Sequence, residues 1–306
     1  HDIHANSVAH CTEFLARENP SKVKLYKSLV ARSGLQHRYS PVALASPDQV
    51  ARTGRWDDRG WLKTGSTNST AERNAVYKAA AKDLGLKTVA SLDQDLSGVT
   101  DLITVSCTGF NAPGFDVDIF REFGLNPRAE RYQLGFMGCF AGINGLRLAQ
   151  RLIQAEPNRK VLLVCLELCS LHFQLVNDLE KLLGFSLFAD GCAAVLLEAG
   201  EGRVTLGQSQ SSVHTEMDSM LTWGIGDQGF DLGLSVKLPA AVTDLMAREE
   251  LVPESLRAHK HEAAWVVHPG GKGILRAVQQ SAGLEDAQLA PSHAVLKRIG
   301  NASSTT

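Results

Sequence analysis

Two short apolar runs, Leu102-Ile-Thr-Val-Ser106 and Lys160-Val-Leu-Leu-Val-Cys-Leu166, do most to limit what this chain can become. Each is too brief for a helix and suits a strand buried on both faces. Between them lie a helical stretch from Phe115 to Phe123 and a short approach from Arg131 to Gly135. A further run, Cys139 to Ala155, repeats Ile143, Leu146, Leu152 and Ile153 at helical spacing. Strand, helix and strand of these lengths predict a right-handed βαβ crossover and a mixed α/β fold.

The flanking regions carry weaker patterns. Asn6 to Asn19 and Ser21 to Ser33 read as amphipathic helices, and Ser69 to Leu84 as an Ala-rich helix capped by Asn68 or Ser69. Glu198-Ala-Gly-Glu-Gly202, between Cys192–Leu197 and Arg203–Leu206, predicts a hairpin. Ala263 to Val267 reads as a strand, Lys272 to Gly283 as a helix, and Pro291 to Arg298 as a shorter helix. No linker, low-complexity tract or repeat divides the chain, whose 306 residues suffice for one large domain or two halves.

Composition excludes some functions. Hydrophobic residues make up 44% and charged residues 21%, a globular balance, and a net charge of −2 argues against electrostatic capture of nucleic acid. No apolar run reaches membrane-spanning length and no secretory leader is visible, although a first residue other than Met leaves room for a removed one. The six cysteines are dispersed, as reduced thiols of a cytoplasmic protein would be. With no Cys-x-x-Cys pair or paired His motif, and only weak acidic patches such as Asp57-Asp58, neither a metal nor a cofactor is expected.

Three polar residues beside glycine stand out: Cys139, His268 before Pro-Gly-Gly271, and Asn301 after Gly300. Taken singly, each has a structural reading: a small core thiol, a turn initiator and a turn cap. Taken together they form a nucleophilic set, with a thiol at a helix start, where unpaired N–H groups favour the thiolate, and an imidazole to ionise it.

The segments Gly138-Cys-Phe-Ala-Gly142, His268-Pro-Gly-Gly271 and Gly300-Asn-Ala-Ser-Ser304 resemble type III polyketide synthases of bacterial type, the chalcone-synthase-like branch of the thiolase superfamily. The likeness extends through Cys107-Thr-Gly-Phe-Asn-Ala-Pro-Gly114, Val164-Cys-Leu-Glu167, Leu187-Phe-Ala-Asp-Gly191 and Gly226-Asp-Gln-Gly-Phe230. Any one motif is weak; all of them in the family's order are specific.

The resemblance implies a five-layer αβαβα thiolase-like fold with two related halves, 1–200 carrying Cys139 and 201–306 carrying His268 and Asn301. Relatives continue past the Gly-Asn motif through a strand pair with a Gly-Phe-Gly-Pro-Gly loop, so the second half is expected to be truncated, and the front short. The implied acyltransferase loads an acyl-CoA starter on Cys139 and extends it by decarboxylative Claisen condensation with malonyl-CoA. It then cyclises the chain to a pyrone, resorcinol or related phenolic. His268 and Asn301 would stabilise the enolate, and Phe188 would stand as gatekeeper between CoA tunnel and cavity.

Cys107, Cys169, His172 and Ser303 correspond to cavity positions; the two cysteines replace Thr of plant enzymes, which argues against chalcone as product. The family is homodimeric, and Ala112 would reach the partner's cavity. Basic residues near Arg32 meet CoA phosphates in relatives; Lys27 shares that helix side with Lys22 and Lys24, where a solvated face is the alternative. Two other readings stay open: a ketoacyl synthase III-type enzyme fed by acyl carrier protein, and a catalytically silent thiolase-like acyl-binding subunit.

Overall fold

The computed structural model describes residues 1–54, 68–248 and 258–306; Asp57 and Asp58 lie outside them. A mixed four-stranded sheet organises the chain, built from β1 (Asp101–Ser106), β2 (Glu130–Gly135), β3 (Val161–Leu168) and β4 (Asp190–Leu197) in the order β2-β1-β3-β4. The first three are parallel, with Asp101 opposite both Glu130 and Val161, and β4 runs antiparallel to β3. Helix α5 (Phe115–Phe123) joins β1 to β2, and α6 (Ala141–Ala155) carries the chain from β2 over β1 to β3.

Every residue of β1 and β3 is buried, because helices cover both faces. Leu102, Leu162, Val164 and Leu166 pack toward α4 (Thr70–Ala90) and α5, while Ile103, Val105, Leu163 and Cys165 pack toward α6. The two-residue period of the strands sorts consecutive side chains between these cores. Around this unit stand α1 (His4–Glu18), α2 (Val23–Ser33), α3 (Pro47–Thr53) and α7 (Leu179–Leu187). The second half adds α8 (Leu238–Met246), α9 (Lys272–Ala282) and α10 (Asp286–Ile299).

Several local expectations change. Helix α4 continues past Leu84 because Gly85 leaves room for the Phe115 ring, which would lie 3.3 Å from an added Cβ. It starts at Ser69 in a capping box with Glu72. Helix α6 begins at Ala141, two residues later than the apolar spacing suggested, because Cys139 belongs to the preceding turn. The hairpin at 198–202 does not form: Val204 is 81% exposed and finds no face to bury.

The hairpin lies instead at β5 (Leu221–Gly226) and β6 (Gly229–Leu234), closed by Asp227-Gln228 with Gly229 at φ +111°. Residues 263–267 form no helix or strand and enter no ladder among the described residues. Helix α10 starts five residues before Pro291, at a Glu285–Gln288 capping box; early in a helix a proline costs one hydrogen bond without ending it.

Gly109, just after β1, shows how tightly this unit is packed. An added Cβ would fall inside the ring of buried Tyr77, whose hydroxyl is held by Ser106 Oγ at 2.8 Å. Gly109→Ala is therefore expected to destabilise by about 3 kcal/mol in a denaturant titration, the upper range for overpacking. Gly207→Ala, with nothing within 4 Å of the new methyl group, should leave the midpoint unchanged.

Candidate active site

The turn between β2 and α6 is forced into unusual backbone geometry, with φ +52° at Phe136 and +85° at Gly138. A non-glycine residue in the left-handed region is strained, and the strain is held by packing on both sides. Phe136 lies against Phe110 and Phe230, at ring distances of 5.2 and 5.4 Å. This sharp turn leaves Cys139 just ahead of α6. Within the helix, a Cβ on Gly142 would come 2.5 Å from Ser304 O, so glycine there lets the Ser303–Thr305 turn close against α6.

That closure brings Asn301 and Ser303 to the sulfur. Burial pushes the Cys139 thiol up to about 11; the Ser303 hydroxyl, whose single proton Glu167 also draws on, and the Asn301 amide pull it down, while a charge on Glu167 pushes it further up. The expected helix-start thiolate is thus replaced by a neutral thiol, because desolvation outweighs the donors.

His268 approaches from the second half. Its Nδ1 lies 3.2 Å from Thr306 Oγ1, whose own proton goes to Ser303 O at 2.9 Å. The hydroxyl therefore accepts from Nδ1–H, which leaves the lone pair on Nε2. That Nε2 is buried with no partner among the described residues, and His268 lines the same cavity as Cys139. Burial also lowers the His268 pKa, so the imidazole rests neutral.

Asn301 is 3% exposed, with its Oδ1 accepting from Ser303 N–H at 2.9 Å and its Nδ2 donating to Gly270 O at 3.3 Å. The second contact ties the Asn301 turn to the His268-Pro-Gly-Gly segment.

The cavity holds about 790 Å³ and is walled mainly by apolar groups. Cys107, Cys169, Phe188 and Ser303 line it with Cys139 and His268. Burial raises the Cys107 thiol to about 11 and Cys169 well above its ordinary value. His172 does not line it. Its ring stacks on Phe230 at 4.0 Å, Nε2–H donates to Thr108 O, and Nδ1 accepts from Phe230 N–H. Both ring nitrogens are spent on the backbone, so His172 is a strut for β6 rather than a cavity residue.

Ala112 is exposed and absent from the cavity wall of its own chain. Lys27 is exposed on α2, whereas Arg32 lines a second cleft with Lys272, Gly273 and Arg276.

Several residues at the site escaped the sequence reading. Trp223 on β5 lines the cavity, lies 6.4 Å from the Phe188 ring and donates Nε1–H to Cys107 O at 2.8 Å. The alternation of Leu221, Trp223 and Ile225 before Gly226 was the available strand signal. Lys272 and Arg276 were legible as a basic i,i+4 pair directly after the His-Pro-Gly-Gly motif.

Glu167, quoted only as part of a motif, proves central. It is fully buried and accepts from Cys107 N–H, Thr108 Oγ1, Ser303 Oγ and Ser304 Oγ. Burial raises its pKa to about 7 against the pull of those donors. The folded state therefore takes up the proton first. Its contribution to stability is complete below the ordinary carboxylate range and is lost as pH rises through about 7. Burial raises Asp190 to about 6, in the same direction. Stability measured by urea titration should fall from pH 5 to 8, and Glu167→Gln should remove the upper part of that fall; an unchanged slope would count against a protonated Glu167.

Among the described residues no group of His, Cys, Asp and Glu is arranged to hold a metal, and no helix is long and apolar enough to cross a membrane. Family models for the N-terminal and C-terminal domains of chalcone and stilbene synthases match residues 58–201 and 207–306. The alpha-pyrone synthesis polyketide synthase-like Pks18 of Mycobacterium tuberculosis is 33% identical over 231 residues, 72% of this chain and 58% of that protein. A putative chalcone synthase of Bacillus subtilis is 31% identical over 66% of this chain and 59% of its own length. The chain thus spans less than two thirds of the length of these relatives.

Among solved structures, the C-terminal type III polyketide synthase domain of Steely1 from Dictyostelium superposes with a TM-score of 0.85 at 23% identity, covering 99% of this chain and 85% of that one. PKS-I of the brown alga Ectocarpus siliculosus gives 0.78 at 26% identity, over 99% of this chain and 82% of that one. The fold is therefore the thiolase-like α/β fold of type III polyketide synthases. With both family models matched in order along most of its length, the chain belongs to the chalcone and stilbene synthase family.

Proposed function

We propose that the protein is a type III polyketide synthase that loads an acyl-CoA starter on Cys139 and extends it with malonyl-CoA. The observation that carries this reading is the unpartnered, lone-pair-bearing Nε2 of His268 in one apolar cavity with the Cys139 thiol, beside the buried Asn301 amide. Nε2 takes the thiol proton and keeps it as sulfur attacks the thioester carbonyl, and CoA leaves as a thiolate that takes its proton from buffer outside the cavity. Burial disfavours the imidazolium unless an anion faces it; the malonyl carboxylate and then the enolate supply that anion, so Nε2 still carries its proton when decarboxylation begins.

Malonyl-CoA then loses CO₂, and its electron pair passes to the thioester oxygen. His268 Nε2–H and the Asn301 Nδ2 amide are the donors for that oxygen; losing one such donor typically costs about 3 kcal/mol of barrier. The enolate carbon attacks the acyl carbonyl on Cys139, a carbon–carbon bond forms, and the sulfur leaves. Phe188 and Trp223 present apolar faces that favour departure of the carboxylate as neutral CO₂. Cys107, Cys169 and Ser303 shape the growing chain, which closes to a pyrone, resorcinol or related phenolic.

The Arg32, Lys272 and Arg276 cleft suits the CoA phosphates, with Lys27 further along the same helix. A homodimer is supported by exposed apolar side chains on the nucleophile turn and the start of α6, Phe136, Met137, Phe140 and Ile143. In that assembly Ala112 reaches the partner's cavity. The halves 1–200 and 201–306 supply Cys139 and the His268–Asn301 pair respectively, and six free cysteines fit a cytoplasmic setting.

Separate assays with malonyl-CoA and malonyl carrier protein, read by product mass, test the reading. Turnover with malonyl-CoA supports it; turnover only with the carrier protein would make the chain a ketoacyl synthase III-type enzyme. Cys139→Ala should abolish the acyl-enzyme. His268→Ala should lose both iodoacetamide alkylation of Cys139 at neutral pH and decarboxylation. Asn301→Ala should lose decarboxylation on the order of 100-fold with alkylation little changed. Equal loss of alkylation in both variants would overturn the division of roles. Trp223→Gly, which opens the cavity wall, should admit bulkier starters or lengthen the product.

A further inference from the structure

Arg38 is 1% exposed, a rare place for a guanidinium. Its Nη1 donates to Phe185 O at 2.7 Å and to Phe188 O at 2.8 Å, its Nη2 to Ser7 Oγ, and its Nε to His4 Nδ1 at 3.1 Å. The two carbonyls belong to the end of α7, where a helix runs out of internal donors and presents its negative dipole end. A third carbonyl of that turn, Leu187 O, accepts from Asn301 N–H at 3.0 Å, and Asn301 O accepts from Ala189 N–H at 2.8 Å. Gly300 makes the arrangement possible: with φ +86°, an added Cβ would lie 3.0 Å from Arg38 Cγ and 3.1 Å from Leu187 O.

One side chain thus sits beneath both the gatekeeper Phe188 and the turn that presents Asn301. Burial lowers the Arg38 pKa to about 10, which leaves it charged at neutral pH. Nearby Asp190, which binds Ser40 and Ser170, and Asp2, which accepts from Arg38 N–H, help keep it so.

We infer that Arg38 is a positioning residue for the reaction: by bridging the Phe185 and Phe188 carbonyls beneath the Gly300-Asn301 turn, its guanidinium sets where the Phe188 ring and the Asn301 amide stand relative to Cys139. The kinetic consequence rests on the condensing-enzyme reading; the geometric one does not. Lysine keeps the charge but, as a single compact ammonium, cannot hold two carbonyls, Ser7 and His4 in the planar pattern of a guanidinium.

The test uses Arg38→Lys in the full chain, with Ser7→Ala as a milder variant that removes one acceptor. Circular-dichroism melting establishes that each variant folds. The side-chain amide NMR cross-peak of Asn301, identified by its loss in Asn301→Asp, reports position without catalysis. It should move in Arg38→Lys, and less in Ser7→Ala, while the cross-peak of Asn126, in the turn after α5, stays in place.

Decarboxylation of malonyl-CoA should lose on the order of 10- to 100-fold in kcat with KM little changed, the scale of a misplacement of about 1 Å. In the Asn301→Ala background, Arg38→Lys should cost little more, as coupled residues do. An unmoved Asn301 cross-peak in folded Arg38→Lys, or in Ser7→Ala should the lysine variant not fold, overturns the inference, as do fully multiplicative losses in the double variant. If the wild-type protein does not decarboxylate malonyl-CoA, the condensing reading fails and the cross-peak alone decides the role of Arg38.

Discussion

Glu167 takes hydrogen bonds from two segments that are remote in the chain: the end of β1, through Cys107 and Thr108, and the turn after Asn301, through Ser303 and Ser304. A buried carboxyl group with four donors costs much to disrupt, because each donor left behind would also be buried and unpaired. The group sits on β3, which like β1 is buried at every residue and paired on both sides, so its position is set by the core itself. From it the Asn301 turn is pulled onto α6, into the space that Gly142 leaves open. That closure sets the Asn301 amide beside the His268-Pro-Gly-Gly segment, whose His268 shares a cavity with Cys139.

The electrostatics of the pocket follow from the same burial. Desolvation raises Cys139 and lowers His268, so both rest uncharged despite the donors around the sulfur. Such a pair exchanges a proton only when a substrate supplies an electrophile and charge develops. The strained turn at Phe136 and Gly138 holds the thiol ahead of the helix and facing the cavity.

Much of the first half was legible in the sequence because strands buried on both faces leave a strong, short apolar signature. Helix α5 was read at its observed bounds, and β1 and β3 to within two residues. The second half was less legible. The segment 263–267 has strand-like composition yet pairs with nothing described, and Val204 and Leu206 alternate without a surface to bury. In both places propensity lacked a partner, and pairing is a tertiary property.

Residue types and their motif order determined on their own the α/β class, the family likeness and the choice of Cys139, His268 and Asn301. Local chemistry sufficed there, since a thiol, an imidazole and an amide beside glycine are recognisable wherever they fold. Only the tertiary structure decided which His268 nitrogen bears the lone pair, because that depends on Thr306 and Ser303. It also decided that His172 braces Phe230, that Trp223 walls the cavity and that Arg38 underlies Phe188. These roles arise from contacts between residues 58 to 150 positions apart in the chain, which no local pattern encodes.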